Sequence, residues 1–288
     1  MLVIVGLLIV FGSVGGGYVA AGGHIDILWQ PFEFIIILGG GLGSFIVSNN
    51  SKGILGGVGK AIGRMLKGPS YKKADYLELL TLQYQIYRLA KTKGMLALEQ
   101  HIENPEESSL FQAFPKFHSD HHAVEFVCDY LRLMSLGANN PHEIEAIMDL
   151  ELETHHAEEH STSAAIGGLG DALPALGIVA AVLGVIHTMG SISEPPEVLG
   201  HLIAAALVGT FFGIFMAYGV VSPMSSAYTV VAAEDSKYYE CIKSGMLAHM
   251  AGNPPTVSIE YARKCLLSHV RPTFFEVEEA SDALPAPG

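Results

Sequence analysis

All sixteen Lys and Arg residues of this chain fall in two blocks, eleven between Lys52 and Arg132 and five between Lys237 and Arg271. The stretches outside those blocks are apolar and long, and about 20 residues are enough to cross the hydrocarbon core of a bilayer. Lys and Arg are retained on the cytoplasmic side of a membrane. One pattern therefore sets fold class and topology together: an all-α polytopic membrane protein with four transmembrane helices and a helical cytoplasmic domain. The division expected is residues 1–50 for transmembrane helices 1 and 2, 51–165 for a cytoplasmic helical domain with a membrane-surface amphipathic helix, 166–222 for transmembrane helices 3 and 4, and 223–288 for cytoplasmic C-terminal helices and a tail.

Charge agrees with this division. Only 16% of residues are charged, against about 25% in soluble domains. The net charge of −13 is concentrated outside the spans and argues against nucleic acid as a partner. The three cysteines, Cys128, Cys241 and Cys265, all fall in the predicted cytoplasmic blocks. That placement suits reduced thiols rather than a disulfide framework, and no pair has metal-ligand spacing. The apolar N-terminus lacks a basic n-region and reads as a retained first span, not a cleaved leader.

Along the chain, the first span covers about Met1–Ala21 and the second about Phe32–Val47, with Trp29 at the outer interface. The stretch Gly53–Lys67 alternates apolar residues with Lys and Arg, the pattern of a helix lying on an anionic leaflet. Helical spacing predicts helices over Tyr76–Lys93, closed by Gly94, and over His121–Leu136. An acidic helix runs from about His142 to His160 and meets no clear stop before the third span, about Asp171–Ser191. The fourth span is about Val198–Val221. Helices are expected over Ser225–Met250 and Val257–Val270, followed by a frayed Pro- and acid-rich end.

Catalytic constellations are missing: no nucleophile elbow, Walker loop or HExxH occurs, so no enzyme activity, catalytic residue or cofactor is expected. The glycine runs Gly15–Gly17 and Gly39–Gly43 lie inside spans, where glycine serves close helix packing. Histidines cluster at His118, His121, His122 and at His155, His156, His160, but no completing ligand set accompanies them and no metal is expected. His187 reads as a hydrogen-bonded interfacial histidine.

The last two spans carry the informative pattern. Gly177, Ala181, Gly184 and Thr188 form one small face, and Ala206, Thr210, Gly213 and Ala217 form another. The plainer explanation is that these two helices pack on each other. Thr210 adds a hydroxyl able to meet an ion, a water or a carboxyl group. Pro174 and Pro223 stand at the inner ends of the two spans, as helix stops or as hinges. Residues 172–193 and 198–233 contain no Asp, Glu, Lys or Arg. An ion carrier normally shows such a group in mid-span, so if ions pass here, the titrating carboxylate comes from another polypeptide.

These residues carry a resemblance over essentially the whole chain. Gly16-Gly17-Tyr18, Gly43-Ser44-Phe45-Ile46-Val47, Leu98-Glu99, Ile102-Glu103-Asn104-Pro105, Asp129-Tyr130-Leu131-Arg132-Leu133, Glu143-Ile144-Glu145-Ala146, Leu173-Pro174-Ala175-Leu176-Gly177, Val208-Gly209-Thr210-Phe211, Ser222-Pro223 and Arg271-Pro272-Thr273-Phe274 occur in family order. The chain resembles the MotA family, the larger subunits of the bacterial flagellar stator in the inner membrane. The resemblance implies that MotB supplies the proton-carrying Asp, and that five copies surround two MotB spans with the third and fourth spans lining the centre. It implies an ion path gated by Pro174, Ala181, Thr210 and Pro223. It implies rotor contact with FliG through Arg88, Lys91 and Glu99, with Lys91 standing where the familiar residue is Arg. Sodium-driven relatives carry Thr at the place of Ala181, so protons are the expected ion. The alternatives are an ExbB- or TolQ-like energiser, which has one span before its insert, and a non-conducting membrane scaffold.

Overall fold

The computed structural model describes residues 2–285, and among them every regular element is a helix. The first span is α1, Leu2–Ala20, which is apolar on all sides, the signature of a helix solvated by lipid. It ends at Gly22, whose φ of 87° is costly for any residue with a Cβ. Short α2 (Ile25–Leu28) and α3 (Pro31–Phe34) lead into the second span. That span is not uniform: Ile35–Gly39 forms a π turn before α4, Gly40–Ser48. The amphipathic segment is α5, Lys52–Lys67. Its apolar face does not lie on lipid alone, because Ala61 and Met65 are buried against Ile166, Tyr228 and Ala232. Ile62 and Leu66 remain exposed.

Next comes α6, Lys73–Lys93, opened by Asp75, which accepts the Lys72 backbone N–H at 2.7 Å, and closed by Gly94 at φ 81°. α7 (Leu96–Glu103), α8 (Ser109–Gln112) and α9 (Pro115–His118) follow. Glu78 of α6 holds the start of α9 by accepting the backbone N–H groups of Lys116 and Phe117 at 2.8 and 3.0 Å. α10, His121–Ser135, is capped by Asp120, whose carboxylate accepts from Ala123.

α11 is one helix from Pro141 to Met189, so the acidic segment does continue into the third span. α12, Pro196–Met216, passes through a second π turn, Ala217–Val221, into α13, Ser222–Met250. Two shorter helices end the described chain: α14, Pro255–Lys264, and α15, Phe274–Asp282. The expected frayed tail is thus corrected as far as Asp282, while residues 286–288 lie outside the described residues. A reciprocal capping box (Thr273 with Glu276) starts α15, Lys73 pairs with Glu276 at 2.8 Å, and Val277 is buried in the core. Capping and burial outweigh an unpromising composition there.

The chain forms two compact units, one taking residues up to Gly68 with Ala157–Ala232, the other Pro69–His156 with the chain from Ala233 onward. The second unit has a large core in which Leu79, Leu80 and Ile86 meet Phe111, Phe117 and Tyr238. Tyr238 stacks on Tyr71 at 3.9 Å, and Tyr71 donates to Asp120; burial first, and then the neighbouring acidic groups, raise the Tyr71 phenol well above its ordinary range.

Candidate functional site

Between α11 and α12 the small faces meet each other. A Cβ added at Gly177 would lie 2.8 Å from the Gly209 carbonyl oxygen, and one at Gly213 would lie 2.6 Å from the Leu173 carbonyl oxygen. One at Gly184 would lie 2.7 Å from the Ala206 Cβ. Only hydrogen fits at these points, so the two backbones approach as closely as helices can. Gly177, Gly184, Ala206 and Gly213 are therefore spent on intrachain packing, as the plainer explanation held. Thr188 is buried and donates to the Gly184 carbonyl at 2.9 Å. Ala181 and Thr210 border the seam and are only half-buried. Thr210 differs from Thr188 in that its hydroxyl makes no side-chain hydrogen bond within the chain among the described residues.

The prolines lie beside this seam and stop neither helix. Pro174 sits inside α11 and removes the N–H that would have bonded to the Gly170 carbonyl. Pro223 is the second residue of α13, directly after the π turn, where the Ser222 N–H reaches back to the Ala217 carbonyl. A π turn gives the backbone the extra residue that lets a helix continue past a proline ring. Helix termination, one of the two expectations for these residues, is overturned for both. The stretches that carry them touch: a Cβ at Gly170 would meet the Ser222 hydroxyl at 2.8 Å.

A polar continuation of the seam escaped the sequence reading. Ser163 shares a hydrogen bond with Thr229 at 2.7 Å, and Ser225 donates to the Ser163 carbonyl at 2.8 Å. Alongside, Arg64 of α5 pairs with Glu159 at 2.9 Å and stands 5.5 Å over the Tyr228 ring. The recurrence of Ser222, Ser225 and Thr229 at spacings of three and four was the available signal, hidden because Ser163 lies sixty residues earlier in the chain.

Away from the spans, Arg88, Lys91 and Glu99 gather around the corner where α6 turns through Gly94 into α7. Lys91 and Glu99 are exposed and Arg88 is half-buried. None of the three forms an ion pair within the chain among the described residues, whereas Lys73, Arg132, Lys243 and Arg263 all do. A cavity of about 300 Å³ lies beside the corner, lined by Lys91, Met95 and His249 among others. His249 stacks on Tyr87 at 4.6 Å. Burial, and after it the charge of Lys91, push the His249 imidazole below its ordinary value. No group of three His, Cys, Asp or Glu residues suited to a metal ion occurs among the described residues.

Four helical stretches are long and apolar enough to span a membrane, and the last two are sealed by small residues and hold no Asp, Glu, Lys or Arg between 172 and 193 or between 198 and 233. That combination defines a polytopic α-helical membrane protein whose last two spans pack through a seam with no Asp, Glu, Lys or Arg of its own. Residues 4–94 match the family described as Motility protein A N-terminal, and residues 118–240 match the MotA/TolQ/ExbB proton channel family. The chain is 45% identical to Motility protein A of Escherichia coli (strain K12) over 100% of its length and 97% of that protein. It is 36% identical to Chemotaxis protein LafT of Vibrio parahaemolyticus, covering 95% of this chain and 96% of that one. Its fold is similar to that of the flagellar MotAB stator complex from Bacillus subtilis, with a TM-score of 0.71 and 25% identity over 89% of this chain and 92% of that chain. The C. jejuni MotAB structure matches with a TM-score of 0.76 at 20% identity, over 92% and 95% of the two chains. The chain belongs to the Motility protein A family.

Proposed function

We propose that this chain is a proton-driven flagellar stator subunit of the bacterial inner membrane, with residues 51–165 and 223–288 forming its cytoplasmic working part. The observation that carries the reading is full-length identity of 45% to Motility protein A of Escherichia coli. Full-length agreement of this kind, with a family match that begins at residue 4, does not favour an ExbB- or TolQ-like energiser.

In this reading a MotB-like partner inserts an Asp beside Thr210 and Ala181. Thr210 suits the role because its hydroxyl is uncommitted and half-buried, so it can donate to a carboxylate or relay a proton. The methyl of Ala181 cannot help replace the hydration of sodium, which favours protons. A proton falling through the membrane releases about 2.3 kcal/mol per 100 mV. Pro174 and Pro223 act as hinges that pass the protonation of the Asp to the cytoplasmic helices. Five copies around two partner spans would present Arg88, Lys91 and Glu99 to FliG on the rotor, with α5 resting its exposed Ile62 and Leu66 in lipid. The absence of intrachain ion pairs at these three residues among the described residues leaves their charges available for steering.

The test is reconstitution in vesicles with an internal pH dye. The chain with its partner acidifies the lumen under an imposed potential; the chain alone, or with a partner whose Asp is changed to Asn, does not. Equal conduction by the chain alone would overturn the borrowed-acid mechanism. Pro174→Ala and Pro223→Ala should abolish swimming while the stators still localise. Wild-type swimming by both variants would remove the hinges from the mechanism.

A further inference from the structure

The surface beside the α6–α7 corner carries more than charge. The cavity of about 300 Å³ there has an apolar wall of Met95, Met134 and Met250 with Ala90 and Ala138. These residues come from four places in the second unit: the end of α6, the turn before α7, the end of α10 with the loop after it, and the end of α13. Methionine is unbranched and polarizable, so a pocket built from three of them adapts to an inserted apolar side chain. The His249 ring adds a flat wall, held in place by its stack on Tyr87.

Two leucines flank this lining along the chain. Leu96 follows Met95, and Leu136 lies between Met134 and Ala138. Each is 79% exposed, and no large apolar side chain of the second unit is more exposed among the described residues. One exposed leucine needs no explanation; two that adjoin the lining of an apolar cavity mark a surface that meets another protein.

Charge selects the partner. The cavity lining includes Lys91 and holds no Asp or Glu, in a chain with 29 acidic and 16 basic residues. The larger groove of the same unit, about 850 Å³ between α11, α13 and α14, is different. Glu145, Asp149, Glu153 and Glu240 line it, and its Lys243 is already paired with Asp149. That groove satisfies its own cation, whereas Lys91 has no acidic partner within the chain among the described residues.

We propose, on the reading of this chain as a stator subunit, that the pocket is the anchor of the rotor contact: it takes one large apolar side chain from a protein surface that sets an acidic side chain beside it, against Lys91. Met95, Leu96, Met134 and Leu136 thereby join the contact. Charges at the edge of an interface act mainly on the rate of encounter, and a side chain in a desolvated pocket acts on the rate of release. Arg88, Lys91 and Glu99 steer the approach, and the apolar anchor holds the partner once it has arrived.

The test uses membranes holding the chain with its MotB-like partner, treated with dilute hydrogen peroxide in the absence and presence of purified FliG. Methionine sulfoxide is read residue by residue from tryptic peptides. Without FliG, Met95, Met134 and Met250 should oxidise faster than Met148 and Met246, which are 0% and 2% exposed. With FliG, those three should slow by about fivefold or more, while Met189 at the end of α11 keeps its rate. Leu96→Ser and Leu136→Ser, at exposed positions, should together weaken FliG binding to the membranes by about tenfold. Slow oxidation of the three methionines before FliG is added means that a neighbouring copy covers the pocket, and overturns the proposal. So does FliG binding that leaves them reactive, or binding unaltered by the leucine changes while Lys91→Glu weakens it. Failure of FliG to bind the unaltered membranes at all overturns the stator reading, and the anchor with it.

Discussion

The two units of this protein are held together by opposite means. In the first, the α11–α12 seam is made of Gly177, Gly184, Ala206 and Gly213, with hydroxyl groups continuing it at Ser163, Ser225 and Thr229. In the second, the core is made of large side chains, Phe111, Phe117, Tyr76, Tyr87 and Tyr238 among them. The reason lies in the solvent. Against lipid, burying a Leu gains nothing over leaving it exposed, so helices associate through close backbone approach and hydrogen bonds. Against water, removing apolar area is the main driving force, and large residues contribute most. The first unit should therefore be intolerant of added atoms, and the second of removed ones.

The strongest way to break that contrast is to enlarge the seam. Gly213→Leu should abolish motility, because any Cβ there lies 2.6 Å from the Leu173 carbonyl oxygen, while Gly12→Ala, with open space around it, should swim normally. Swim-ring diameters with membrane levels of the protein decide it; a motile Gly213→Leu strain would show that the seam yields. Next in size is truncation of the second core. Phe117→Ala should cost about 3–5 kcal/mol and lower the thermal midpoint of the purified chain, since Phe117 is wholly buried. An unchanged midpoint would mean that the aromatic core contributes little.

A smaller effect comes from His249. Its folded pKa is below the unfolded value, so the unfolded chain binds more protons, and stability falls as pH drops through about 6.5. Replacing it with Phe keeps a ring against Tyr87 and should flatten the dependence of the melting midpoint between pH 7.5 and 5.5, on the order of the range over which histidine titrates. A variant with the same slope as the parent would clear His249 of any part in it. The smallest stability change is expected at the α6–α7 corner. Lys91→Glu with Glu99→Lys should alter stability by less than about 0.5 kcal/mol yet weaken rotor coupling, recoverable by reciprocal rotor changes. Normal torque in every combination would remove these charges from the rotor interface.

Much of this was legible in order along the chain. The spans and the acid-free last helices follow from where Lys, Arg, Asp and Glu stand, because charge in hydrocarbon is costly wherever it falls. The small faces of α11 and α12 were visible as a period, but a period does not say whether a face meets its neighbour or a partner. The structure assigns Gly177 and Gly213 to the neighbour and leaves Thr210 uncommitted. The π turn before Pro223 was not legible, since whether a proline ends a helix depends on the turn preceding it. Nor was the order of α15, which rests on Lys73, two hundred residues away, and on burial of Val277.

Sequence by itself determined which segments meet lipid and which meet water, because that choice is made residue by residue through transfer free energy. Tertiary structure alone decided which small residues touch and which hydroxyl stays free. Those outcomes are distances between parts of the chain far apart in order, set by how closely two backbones approach, and no local pattern encodes a distance of that kind.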